Sequence, residues 1–200
     1  MRAFNILFAS ALINFYLCFS ACSSNAPIVL KGNQNPSAVN TIALLPVEGN
    51  VADSIALQML RTKLSNELRF KGYSQIASDL IDSKLTPLTD DKDVIKNKGI
   101  PPKAIEELLG ADGAMYCSLK ESKISTGLFY APVTVSVRCE LRSTKTGETV
   151  WNDQSQATSR SFDLIRTRLK MKSNGNLEAA LEEVVGKVME TLPYGPKLRG

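Results

Sequence analysis

Apolar residues change their spacing several times along the chain, and each change marks an element. Thr41-Ile42-Ala43-Leu44-Leu45-Pro46-Val47 is a short continuous apolar run, the pattern of a strand buried on both faces. Pro46 places its end at a sheet edge or a turn. From Asp53, a residue able to cap a helix, Leu57, Leu60, Leu64 and Leu68 recur at helical intervals and predict an amphipathic helix through Lys71. Glu67 and Lys71 stand four apart as an ion pair, and Gly72 stops the helix. Residues 73–77 read as a second short strand, 78–85 as a short helix and 88–99 as a charged loop. Pro101-Pro102 through Gly110 begins with helix-compatible prolines and ends in glycine, a complete helix signature.

The second half alternates instead. Residues 114–120 and 133–142 predict two strands. Met115, Cys117 and Leu119 point one way on the first; Val133, Val135, Val137, Cys139 and Leu141 form the matching face of the second. The opposite face carries Tyr116, Ser118, Lys120, Thr134, Ser136, Arg138, Glu140 and Arg142 and is expected to be solvated or only partly covered. Residues 144–147 make a turn, and 148–154 begin a further strand carrying Trp151. Leu177, Leu181, Val184, Val188 and Leu192 line a closing helix that Pro193 ends. This order predicts one α/β (α+β) domain of two or three layers, with a mixed sheet, a C-terminal antiparallel meander and a closing helix.

The N-terminus follows different rules. Arg2 precedes a mostly apolar run to Cys18, followed by Phe19-Ser20-Ala21-Cys22, the layout of a secretory leader. Uncleaved, the same run would serve as an anchor helix. The Ser-Ala-Cys ending resembles the bacterial lipobox, in which the cysteine becomes the first mature residue and carries acyl chains. The resemblance implies a leader over 1–21 and lipid on Cys22. Several chains at about 0.8 kcal/mol per buried CH₂ hold firmly where one does not. Ser23, where Asp would imply retention at the inner membrane, implies the periplasmic side of the outer membrane. Residues 22–40 are then a lipidated Cys and a tether rich in Ser, Asn, Pro and Gly, with a reach of about 25 Å. The globular domain occupies 41–196.

Composition removes much chemistry. The 200 residues hold 24 Lys and Arg, 20 Asp and Glu and no His. Without histidine there is no Ser-His-Asp or Cys-His nucleophile, and the usual acid–base residue near neutral pH is missing. The leader takes one Arg and no acid, leaving 23 against 20, too mild and too scattered for a nucleic-acid binder. No Walker motif or dinucleotide fingerprint occurs. No cofactor is expected beyond covalent lipid on Cys22, and no metal.

Ile42-Ala43-Leu44-Leu45-Pro46 before a long helix resembles the opening of lipoprotein and Tol-system domains of the TolB N-terminal type. So do Leu68-Arg69-Phe70-Lys71-Gly72-Tyr73 and Leu109-Gly110-Ala111-Asp112-Gly113-Ala114, and Thr146-Gly147-Glu148-Thr149-Val150-Trp151 completes the set. Residues 41–196 are thereby similar to a family of bacterial lipoproteins that includes surface antigens of Gram-negative pathogens. That family is related in type to the curli-secretion and penicillin-binding-protein activator lipoproteins. Leu192-Pro193-Tyr194-Gly195-Pro196 adds to the likeness. The resemblance carries no catalytic residue; it implies a non-enzymatic α/β module that binds envelope proteins from a lipid anchor.

Cys117 and Cys139 remain after processing. Partner numbers in an antiparallel pair sum to a constant, and facing each other these two place the turn at residue 128. In an oxidising compartment they either form a disulfide or stay as two buried thiols. Leu128, Phe129 and Tyr130 would stand at that hairpin's tip, either exposed as a partner-binding loop or folded back over the sheet. The basic run Arg166, Arg168, Lys170 and Lys172 reads as a solvated, loosely ordered segment. Two functions follow: an anchored accessory docking onto an envelope assembly for secretion or cell-wall synthesis, or a periplasmic carrier or sensor for a small ligand or glycan. Oligomeric state is not legible.

Overall fold

Residues 39–50, 53–89, 99–125 and 129–198 are described by a computed structural model, and the account below concerns these. The chain forms β1 (Thr41–Leu44), α1 (Ser54–Phe70), β2 (Ser74–Gln75), α2 (Ser78–Thr89), α3 (Pro102–Leu109), β3 (Gly113–Ile124), β4 (Tyr130–Ser143), β5 (Thr149–Phe162) and α4 (Arg166–Glu190). A 3₁₀ turn, Pro196–Leu198, follows. The strands make one mixed sheet in the order β2-β1-β3-β4-β5. β1 runs parallel to β2 and β3, and β3, β4 and β5 form an antiparallel meander.

β1 is apolar from Ile42 onward because it is covered twice. Ile42 and Leu44 face a cluster built with Leu60, Leu64 and Leu68 of α1 and Leu181, Val184 and Val188 of α4. Ala43 and Leu45 face a smaller cluster with Ile81 and Leu85 of α2 and Ile105 of α3. The sheet therefore has three layers at its parallel end. It has two along the meander, where the described helices cover one face only.

Several expectations need correction. Asp53 precedes α1, but its side chain makes no capping hydrogen bond, so leucine packing carries that helix. The Lys71 amine does not meet the Glu67 carboxylate; it donates to the carbonyls of Leu192 (2.7 Å) and Glu190 (3.2 Å). It lies 5.0 Å from the Tyr194 ring centroid, and burial lowers its pKa. Gly195 N–H donates to Lys71 C=O, and Tyr73 O–H to Pro193 C=O. The Leu192-to-Pro196 phrase is thus a latch that closes the C-terminus over α1. Helix α2 continues to Thr89, because Pro87 in its last turn forfeits only one backbone bond.

The meander strands outrun their sequence limits. β5 reaches Phe162 with Ser155, Ala157 and Ser159 opposite Val137, Val135 and Val133. Residues that small and polar give no apolar alternation, yet they occupy the covered face beneath α4. Helix α4 starts at Arg166, eleven residues before the expected Leu177. Buried Leu169 holds its first turns, and Asn176 joins it to two strands, donating to Ala131 C=O and accepting from the Ser161 hydroxyl. The basic run is helix, not loose chain. Val39 and Asn40, assigned to the tether, already belong to the domain. Val39 is 2% exposed against Gly113, where a Cβ would stand 2.6 Å from it, and Asn40 C=O accepts from Ser74 N–H. No described helix is long and apolar enough to cross a membrane.

Candidate functional site

Two surface features stand out, at different places on the meander. The first is its far end. Tyr130 and Phe162 are paired across β4 and β5 with ring centroids 6.3 Å apart, on the face away from α4. Phe129 precedes them, and its carbonyl accepts from Asp163 N–H. Phe162 (69% exposed) and Phe129 (56%) stand in solvent, and Leu164 (84%) and Ile165 follow directly in the turn into α4. Scattered apolar side chains are ordinary on a protein surface; several large ones at one strand end and the junction that follows it make a candidate interaction site.

The end is held rigid from below. Asp163 accepts from Ile165 N–H and pairs with Lys172 at 2.9 Å, and the Lys172 contact holds its carboxyl below the usual range. Leu169 and Asn176 seat the following helix. Phe129 and Tyr130 are therefore exposed rather than folded back, whereas Leu128 lies outside the described residues, as does Cys22. Sequence reasoning missed the other half of the cluster, although Phe162-Asp163-Leu164-Ile165 places apolar residues at a strand-to-helix junction.

The second feature is a cavity of about 190 Å³ on the open face, lined by Glu48, Tyr116, Ser118, Lys120, Arg138, Glu140 and Arg142. It begins where the α2–α3 layer stops. Tyr116 O–H donates to Ile100 C=O at 2.6 Å, and burial pushes its pKa up to about 12. The loop after β1 lies alongside β3 through Glu48 N–H to Cys117 C=O and Leu119 N–H to Glu48 C=O. Arg142 donates to both Glu140 oxygens, at 2.8 and 3.0 Å, and lies 5.0 Å from the Tyr116 ring centroid. Thr149 O–H also donates to Glu140. These bonds, Arg142's first, hold the Glu140 carboxyl below its usual range and raise the Arg142 pKa.

Beneath this cavity Cys117 and Cys139 are register partners on the covered face, with sulfurs 2.07 Å apart and Cα atoms 4.2 Å apart. A crosslink between residues 22 apart in sequence is worth about 3 kcal/mol by the entropy of loop closure. It joins the two strands on which Ser118 and Arg138, also register partners, project upward. Past Leu119 the register shifts, so Lys120 is the extra residue of a β-bulge. Among the described residues no three carboxylates or thiolates gather to hold a metal ion.

The comparisons bear on the chain as a whole. A family model described as "Putative lipoprotein GNA1162-like" matches residues 33–193. Lipoprotein GNA1162 from Neisseria meningitidis superposes with a TM-score of 0.50 at 17% identity, over 68% of this chain and 94% of that one. The PelC dodecamer from Paraburkholderia phytofirmans gives a TM-score of 0.51 at 16% identity, over 80% and 93%. The hypothetical protein CT253 from Chlamydia trachomatis gives 0.50 at 14% identity, over 76% and 95%. Comparison with curated protein sequences gave no match.

Proposed function

Since the chain belongs to the GNA1162-like lipoprotein family, we propose that it is a non-enzymatic accessory of a cell-envelope assembly, anchored by lipid on Cys22 and facing the periplasm from the outer membrane. On this reading its docking surface is the apolar end of the meander, and the partner is another envelope protein serving secretion or cell-wall synthesis. The observation that carries it is the set of exposed side chains Phe129, Tyr130, Phe162 and Leu164 at one end of the meander, held in place by the Tyr130–Phe162 ring contact and the Asp163 bonds. Large aromatic and aliphatic side chains on fixed supports are the usual anchors of protein interfaces, because little entropy is lost when they are covered.

A photo-crosslinking residue at position 164 tests this in intact cells. One envelope protein should be captured, and capture should fall at least about tenfold when Phe162→Ser removes the neighbouring ring. Capture of lipid alone, or of nothing, rejects the docking surface.

A further inference from the structure

The cavity on the open face is independent of the docking end. We propose that it binds the carboxylate of an acidic saccharide, with Arg138 and Lys120 holding the charge.

Charge arithmetic within the cavity comes first. Arg142 and Glu140 satisfy one another and add no net charge. What remains is Glu48 against Lys120 and Arg138; Arg138 also acts on Glu140 through space, but neither cation makes a hydrogen bond or ion pair among the described residues. The excess is a single positive charge, which suits a monoanion better than a doubly charged phosphate. Arg138 presents a planar fork matched to two carboxylate oxygens, and Lys120 adds a point charge beside it.

Position and support agree. The bulge leaves Lys120 on the open face with Ser118 and shifts the residues after it by one, so that Glu121 comes opposite Ser136; such irregularities are common beside binding sites. The disulfide below fixes the strand carrying Ser118 against the strand carrying Arg138. The cavity also opens off the carboxyl end of β1, where the chain crosses first to β2 on one side and then, from β2, back past β1 to β3 on the other. Open α/β sheets hold their ligands at such reversals.

The surface beyond the cavity selects the rest of the ligand. Successive register partners on the same face are Arg138 with Gln154, Ser136 with Gln156 and Thr134 with Thr158; Ser136 is buried, the Gln156 amide donates to Glu121, and the two threonine hydroxyls bond each other. The exposed amides, the Glu121 carboxylate and the threonine pair extend for about 13 Å along the strand and still offer acceptors, and the Gln154 amide donates as well. A chain of sugar hydroxyls meets that requirement; an aliphatic acid does not. No described helix covers the strip.

The test is calorimetric titration of the full chain in detergent with 3′-sialyllactose, a saccharide with one carboxylate, its methyl ester and inorganic phosphate. Saturable binding of sialyllactose is expected, weakened about tenfold or more in Arg138→Gln and by raised salt, and unchanged in Phe162→Ser. Arg138 is exposed, and a melting temperature unchanged in Arg138→Gln separates lost binding from lost fold. No saturable binding, equal binding of the methyl ester, unchanged binding by Arg138→Gln, or phosphate binding as tightly as sialyllactose would overturn the proposal.

Discussion

Glu140 receives three donors, two from Arg142 and one from Thr149, while half-buried on an otherwise open sheet face. Its folded pKa lies below the ordinary 4.5, so the unfolded chain binds a proton first as the pH falls. The stability this contributes is present above the ordinary value and is lost as the pH drops through the folded one. Denaturant midpoints measured from neutral pH into that acid range should therefore fall less steeply in Glu140→Gln than in the parent. Equal slopes would mean that the Arg142 contact does not persist in solution. The same change should leave neutral-pH stability lower, because Arg142, itself partly buried, keeps only an amide to bond.

At the scale of elements, α4 is held as much by one polar side chain as by its apolar stripe near its start. Asn176 ties it to both β4 and β5, and Asn176→Ala strands the Ala131 carbonyl and the Ser161 hydroxyl at a cost of about 1–3 kcal/mol. Amide exchange over the first turns should quicken more than at Val184 or Val188; uniform quickening would show that the helix opens only as a whole. This helix also shows where sequence reading stops. Apolar periodicity from Leu177 onward is plain, whereas the stretch before it is basic and depends on Leu169 and Asn176, whose burial is a tertiary fact. Strand β5 is the same case, since Ser155, Ala157 and Ser159 sit inward because α4 covers them. The apolar run of β1, the leucines of α1 and the register of Cys117 opposite Cys139 were legible because each depends on local spacing. Phe129 and Tyr130 were legible as a hairpin tip. Arg138 and Lys120 were legible as lying on one face, whereas the register shift after Leu119 and the cavity that both line were not, because neither leaves a mark in local spacing.

The whole molecule is polar in layout. Val39, where the described chain enters the domain, packs beside Gly113 at one end of β3. The apolar cluster lies past the other end, about 36 Å away at the rise of an extended strand. A lipid on Cys22 would hold the first end toward the membrane and leave the second free to reach a partner, so the two attachments should be separable. Replacing residues 1–22 by a secretory leader that is cleaved without lipidation should move the chain from the membrane to the soluble fraction while residue 164 still crosslinks to its partner in extracts. Conversely, Phe162→Ser combined with Leu164→Ser should lose the partner, keep the chain in the membrane fraction and change stability by no more than about 0.5 kcal/mol per site, as exposed positions do. A large drop in melting temperature in the double variant would mean that these side chains serve the fold instead. Loss of crosslinking on releasing the anchor would mean that the partner is recognised only by a chain held at the membrane surface, and that the two ends act as one site.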